Sequence, residues 1–346
     1  MDLTGIALLL PEPIDELLYY QRYYVMGFER VGSVRFSPRP LASLLPGAPS
    51  HQLTRMVQGH SRVRKLMGLR SPDDAWTVGR YVVATGQGDV NVGIDAFDNH
   101  RIWLPAIVDW SDIYFKANYW PSAGYDRKVM PIVSGNGSVT HRDLDRARML
   151  RHVDKDMDVT FISNVWGGRE HNVRLFEALA ELECSKELLA IFPGGRKDHE
   201  SRALAARLEA VGVPTADRSV SRDQLWSAMA RSRLVMFRSG VHGCMPWRTI
   251  DLLCMGACIV LDGVPAPQWP VPLQPGVHYA SCGIARSDSG TPEAGEYAKV
   301  RQTIEGLLGR PWEQARLRRS AAEYYDAHAA PEQVARYVLA TIAARG

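Results

Sequence analysis

The 346-residue sequence is poor in cysteine: Cys184, Cys244, Cys254, Cys258 and Cys282 are an odd number, scattered without zinc-type CxxC pairs. That excludes a disulfide framework and a structural zinc as organising devices and leaves buried free thiols as the expectation. Long apolar runs are missing too. The run from Gly5 to Leu10 follows Met-Asp rather than a basic segment and stops at Pro11, too short for the core of a signal peptide. No later run approaches the ~20 apolar residues of a membrane span, so a cytoplasmic protein is expected. Charge of one sign is absent: 41 Lys and Arg stand against 38 Asp and Glu, a net +3. A protein whose main partner is nucleic acid is strongly basic, so nucleic acid is not an expected partner. No GxxxxGK occurs, and Gly86-Gln-Gly88-Asp-Val-Asn91 lacks the third glycine of a dinucleotide fingerprint, which weighs against P-loop and dehydrogenase chemistry. There is no short-period repeat.

What is present is the composition of an ordinary globular protein, 46% hydrophobic and 23% charged, in a chain longer than one core usually supports. Two domains of roughly 150 residues are the natural prior. In the C-terminal half, which begins near Asp156, short apolar strands alternate with amphipathic helices. Asp158–Ser163, Glu187–Phe192, Leu234–Phe237 and Cys258–Asp262 read as strands. His171–Glu183, a stretch through Leu204 and Leu208 to Val211, a helix capped by Ser221, and Thr249–Met255 read as helices. Alternation of this kind predicts a parallel, doubly wound sheet with its ligand beyond the carboxyl ends of the strands. The N-terminal half has the same grammar more faintly: strand Ile6–Leu10, helix Ile14–Arg30, then strands Ser33–Phe36, Tyr81–Ala84 and Ile102–Val108. Lys128–His141, with Pro131 and Gly135-Asn-Gly137, reads as a linker. The division expected is 1–140, 141–310, and C-terminal helices 311–346, with Pro311 and Pro331 at helix starts, packing across the two domains.

The chemistry-bearing segment is Met236-Phe-Arg-Ser-Gly-Val-His-Gly-Cys-Met-Pro-Trp-Arg-Thr-Ile-Asp-Leu-Leu-Cys-Met-Gly-Ala-Cys-Ile-Val-Leu-Asp262. Strand, glycine-containing loop, short helix bearing an acid, glycine and strand follow one another. In that order it resembles the nucleotide-sugar site of the GT-B glycosyltransferases. Asp251-Leu-Leu-Cys-Met-Gly-Ala-Cys-Ile-Val260 is similar to their Glu-Ala-x-Ala-x-Gly-x-Pro-Val-Val element, and Arg248, three residues before the acid, is similar to exostosin-like and spore-coat-type members. The resemblance implies an α/β chain of two Rossmann-like doubly wound domains facing a cleft. It also implies a hexosyltransferase-type enzyme that moves a sugar from a UDP-, GDP- or dTDP-sugar to an acceptor hydroxyl, with no metal and no further cofactor. The sequence departs from the pattern in carrying Asp251 where the family has Glu. No carboxylate stands near Gly243, and His242 is the nearest polar candidate there.

A carboxylate early in a helix can accept both hydroxyls of a ribose, and Arg248 can hold phosphate oxygens; equally, Asp251 can simply cap its helix. After the first strand of this half stand Gly167, Gly168, Arg169 and His171, a glycine turn with positive charge before a helix, and after the second stand Gly195, Arg196 and Lys197. The last group alone is as readily a basic surface turn. An inverting enzyme needs a base for the acceptor hydroxyl, for which Asp95, Asp98 and His100 are candidates, although Asp-x-x-Asp-Asn-His is also turn chemistry. Asp112-Ile-Tyr-Phe-Lys116-Ala-Asn118 is similar to a run in exostosin-like transferases. The basic amphipathic segment 51–70 is a charged surface over a core or, alternatively, a peripheral contact with the inner face of a membrane or with a lipid-phosphate acceptor. The acceptor expected is a glycan, a lipid-linked sugar or a small molecule. Two other activities fit the same motifs: a nucleotide-sugar 2-epimerase of this fold, and a non-catalytic nucleotide-sugar or carbohydrate-binding protein.

Overall fold

The computed structural model describes residues 3–9, 14–32, 34–36, 77–102, 104–166, 169–193, 195–240, 243–284 and 291–345. The segment 51–70 and residues Gly167, Gly168 and His242 lie outside these. The chain divides into two compact units. Unit 1 is Met1–Asp143 with Pro267–Pro272 and Ala327–Gly346; unit 2 is Leu144–Ala266 with Leu273–Asp326. Unit 2 therefore runs past residue 310, and the last two helices belong to different units rather than to one C-terminal block.

Unit 2 realises the alternation read from the sequence. Its strands are β7 (Met157–Asn164), β8 (Lys186–Ile191), β9 (Thr215–Ala216), β10 (Ser232–Phe237), β11 (Ile259–Leu261) and β12 (Ala280–Ser281). They form one sheet in the order β12-β11-β10-β7-β8-β9, every pairing parallel. Helices α4 (Arg169–Ala180), α5 (His199–Ala210), α6 (Arg222–Arg231) and α7 (Thr249–Cys254) fill the crossovers, and α8 (Ala298–Leu308) and α9 (Pro311–Tyr324) close the unit. Strands covered on both faces must be apolar throughout, which is why they read as plain runs. Phe161 of β7 and Phe176 of α4 meet with ring centroids 4.4 Å apart, both buried among Leu175, Leu179, Leu234 and Val260. Each such side chain contributes about 1.5–3 kcal/mol by leaving water. Ser221 caps α6 through a complete capping box with Gln224.

Unit 1 is a mixed sheet, not a uniformly parallel one. β1 (Leu3–Leu9), β2 (Val34–Phe36), β3 (Val78–Thr85), β4 (Gly88–Asp95), β5 (Ile113–Lys116) and β6 (Val129–Pro131) pair in the order β2-β1-β3-β4-β5-β6, with β3 antiparallel to both neighbours. The cause is local: Gly86-Gln87 makes a two-residue hairpin turn between β3 and β4, so this glycine pair is a reversal of the chain and not a phosphate loop. The segment read as a strand over Ile102–Val108 is instead helix α2 (Pro105–Trp110), with its proline in the first turn, where a missing N–H costs nothing. The segment read as a linker contributes the edge strand β6, which tolerates Pro131 at its end, and leads into α3 (His141–Met149). Helix α1 (Ile14–Val31) packs on the final helix, α10 (Pro331–Ala343). A Cβ on Gly27 would lie 2.1 Å from the Pro331 carbonyl oxygen, so only glycine permits this approach. The Tyr23 hydroxyl completes the seam by donating to the Ala329 carbonyl at 2.6 Å.

Among the described residues no helix is long and apolar enough to cross a membrane. All five cysteines are free thiols, and burial pushes those of Cys254, Cys258 and Cys282 up to about 12, leaving them unreactive.

Candidate functional site

Because β7, β10 and β11 are adjacent and parallel, the loops that follow them open on one edge of the unit 2 sheet, the edge where an α/β sheet binds ligands. Trp166 follows β7 with its side chain exposed. Its carbonyl accepts from Asn172 Nδ2 at 3.4 Å and from Arg238 Nη2 at 3.2 Å, so a guanidinium from the loop after β10 spans to the loop after β7. The next residues, Ser239 and Gly240, start a tight loop in which the Gly240 N–H donates to the Cys244 carbonyl at 2.9 Å. A Cβ on Gly240 would fall 2.0 Å from Cys244 Sγ, so a larger residue would have to displace that thiol.

Beneath these loops runs a buried polar chain. Asp262, directly after β11, is wholly buried and accepts at Oδ1 from the Ser239 N–H (2.9 Å), the Ser239 hydroxyl (2.6 Å) and the Gly263 N–H (2.9 Å). Its Oδ2 lies 2.8 Å from His171 Nε2, and His171 Nδ1 lies 2.7 Å from the Tyr297 hydroxyl. With its proton on Nε2, the ring donates to the carboxylate and leaves Nδ1 to accept from the Tyr297 hydroxyl.

The residues singled out in the sequence fall in different surroundings. His171 is buried in the chain just described rather than open to a phosphate. Arg169 turns to the start of α5, 2.9 Å from Glu200, 3.4 Å from Asp198 and 3.2 Å from the Ser201 hydroxyl. Gly195 has φ +82° in a turn whose N–H donates to Phe192. Arg196 is engaged by Glu209 and Asp217, each at 2.9 Å, and Lys197 is exposed. Arg248 is half-buried at the start of α7 and makes no ion pair among the described residues. Asp251, in the first turn of α7, is buried and accepts from Trp226 Nε1 at 3.2 Å, so its carboxylate has an interior partner on α6.

In unit 1 the two N-terminal candidate runs meet each other. Asp95, the last residue of β4, is fully buried 2.9 Å from Lys116 Nζ on β5, and accepts from the Tyr114 hydroxyl and the Phe97 N–H, each at 2.9 Å. Burial pushes the Tyr114 phenol far up, and the Asp95 carboxylate pushes it further. Asn118 Nδ2 donates to the Phe97 carbonyl at 2.9 Å. Asp95 is thereby committed to an interior ion pair, while Asp98 and His100 beyond it are half-buried, the His100 ring stacked on Trp120 at 4.2 Å. An open polar cavity of about 910 Å³, lined by Asp89, Asp109, Asp112, Lys128 and Arg345, lies at the opposite, amino ends of these strands. Among the described residues no group of three His, Cys, Asp or Glu side chains is placed to hold a metal ion.

Arg238, Ser239 and Asp262 stand out only in the structure. The signal available earlier was positional: Arg238 and Asp262 are polar residues directly after apolar strands, and Ser239 follows Arg238.

No known family profile matches the sequence, and no curated protein matches it. Solved structures do. A glycosyltransferase from Rickettsia africae ESF-5 aligns over 97% of this chain and 97% of its own, with a TM-score of 0.52 and 10% identity. Anabaena Alr3699/HepE, solved with UDP and glucose, aligns over 97% and 99% at a TM-score of 0.49 and 14% identity. MurG of Acinetobacter baumannii aligns over 96% and 97% at 0.44 and 12%. Identities this low speak of fold alone, and the likeness to the Rickettsia enzyme, covering nearly all of both chains, gives this protein the GT-B fold.

Proposed function

We propose that the protein is a glycosyltransferase of hexosyltransferase type, moving a sugar from a nucleoside-diphosphate donor to an acceptor hydroxyl without a metal ion. The observation that carries this reading is the guanidinium of Arg238 lying across two adjacent strand-end loops at the ligand-binding edge of the unit 2 sheet. Departure of a nucleoside diphosphate develops negative charge on its phosphate oxygens, and fixed cations and backbone N–H groups held at that edge stabilise it without reorganising. Arg238 and Arg248 supply the cations, and the first turn of α4 supplies N–H groups. Asp251, being partnered by Trp226, is proposed for the ribose only through whatever lone pair the indole leaves. Asp98 and His100 of unit 1 are the groups proposed to take the acceptor's proton. The fold shared with a Rickettsia protein named as a glycosyltransferase is consistent with this reading.

Calorimetry against UDP, GDP and dTDP tests it first. One of them binds with a Kd of about 1 mM or tighter, some 4 kcal/mol or more. The matching nucleotide sugar then turns over with an acceptor present and with EDTA added. Silence across all three diphosphates removes the donor site. Turnover of the sugar with no acceptor would turn the reading toward an epimerase.

A further inference from the structure

An ionised carboxylate is costly to bury unless donors meet its oxygens. Asp262 has four such donors, and three of them belong to the two loops at the binding edge: the Ser239 N–H and hydroxyl and the Gly263 N–H. The fourth, His171 Nε2–H, comes from α4, which begins the crossover after β7, and is itself fixed by Tyr297. A single side chain thus ties the residues after β10 to those after β11 and to the helix after β7. Ser239 is the neighbour of Arg238, so fixing the Ser239 backbone fixes the point from which the Arg238 side chain departs.

We propose that Asp262 is a positioning residue and that Arg238 is the cation it aims at the diphosphate of the donor. The proposal rests on the donor site argued above and gives it its working cation. Asp262 itself is buried too deeply to touch the ligand. It acts through Ser239, and His171 acts through Asp262, which gives this histidine a role other than direct contact with phosphate.

The experiment combines titration with UDP, GDP and dTDP, thermal melting, and hydrogen exchange at the Ser239 and Gly263 amides. Arg238→Gln weakens the binding of the preferred diphosphate by about tenfold or more, the loss of a charge-assisted hydrogen bond, while melting and the two amides stay as in the parent. Ser239→Ala removes one bond to Asp262 without touching the guanidinium. Both amides then exchange faster, and the diphosphate binds about three- to tenfold more weakly. With the matching nucleotide sugar this appears as a raised KM rather than a lowered kcat. Ser239→Thr, which keeps the hydroxyl, restores exchange and binding together. A merely structural network would lower the melting temperature of Ser239→Ala and leave its affinity at the parental value; that result overturns the proposal, as does parental affinity in Arg238→Gln. If the parent protein itself binds none of the three diphosphates, the donor reading falls and Arg238 falls with it. Binding in the parent that neither variant alters sinks this inference alone.

Discussion

Asp95 and Asp262 each stand at the carboxyl end of a strand, each is out of water, and each is met on every side, yet their partners differ in kind. Asp95 faces a full cation, Lys116, whose own side chain is entirely buried, with a tyrosine hydroxyl and one backbone N–H completing the shell. Asp262 faces a histidine, a serine hydroxyl and two backbone N–H groups. The first arrangement neutralises charge between two strands and thereby settles how β4 and β5 lie. The second uses charge to hold loops. An acid near a predicted site is therefore weak testimony by itself, and what donates to its oxygens decides whether it serves the core or the edge.

The largest effect should come from breaking the first pair. Lys116→Met leaves Asp95 buried and uncompensated, a loss of about 3–5 kcal/mol in denaturant unfolding. Adding Asp95→Asn removes the stranded charge and recovers much of that loss. Nucleotide binding by the folded fraction should not change, since both residues belong to unit 1. A cost below about 1 kcal/mol, the range of an exposed pair, would break the comparison by showing that the interior tolerates the lone charge.

Next comes Asp262→Asn, which sharpens the contrast because its network can reverse. The new amide keeps an oxygen for Ser239 and Gly263 and offers N–H to His171. The imidazole can then move its proton to Nδ1 and donate to the Tyr297 hydroxyl. With every atom again satisfied, the stability cost is about 1–2 kcal/mol, below that of Lys116→Met. The ring nitrogens of His171, followed by NMR, should exchange their protonated and bare identities. A loss as large as that of the lysine variant, with the tautomer unchanged, would mean that Asp262 carries a charge its surroundings cannot replace.

The two units also differ in how plainly they could be read in the sequence. In unit 2 the central strands are buried and the crossovers from β7 to β11 are helices, so runs such as Thr160–Ile162 and Leu234–Met236 declare themselves, and Ser221 with Gln224 marks a helix start outright. Unit 1 misleads because its sheet reverses at Gly86-Gln87 and because Pro105 opens a helix inside an apolar stretch. The candidate site was legible as a place, namely the loops after β7 and β10, but not as a set of residues. His171 and Asp262 are 91 positions apart, and Arg238 reaches a carbonyl 72 positions away. Periodicity reports which face of an element is buried, while the partner met there comes from another crossover. Arg169 and Arg196 were sound candidates as cations near glycines, yet the acids that hold them lie on or beside the helix after β8, where no local pattern announces them.

A smaller effect separates local from long-range causes. Ser221→Ala removes the cap of α6, whose hydroxyl receives the Gln224 N–H at 3.2 Å while the Gln224 side chain accepts the Ser221 N–H at 3.0 Å. The loss should be about 1 kcal/mol in denaturant unfolding, with diphosphate affinity unchanged. An affinity change would show that α6, through Trp226 and Asp251, reaches the binding edge after all.

The smallest effect concerns an acid at the surface, where neither burial nor a loop is at stake. The Asp198 carboxyl is held down at about 2, first by the Ser201 N–H and then by the Ser201 hydroxyl, with Arg169 adding its charge. Its folded value lies below its ordinary 3.8, so its contribution is whole above that pH and drains away as pH falls toward 2. Asparagine caps a helix about as well and does not titrate. In acid unfolding the parent should therefore lose ground against Asp198→Asn between about pH 4 and pH 2 and nowhere else. Asp156, Asp158 and Asp326, also held low by arginine or serine partners, are common to both proteins and cancel in the difference. Superimposable acid profiles for the two would show that the cap holds Asp198 no better when charged than when neutral, and would leave Glu200 as the carboxylate that detains Arg169.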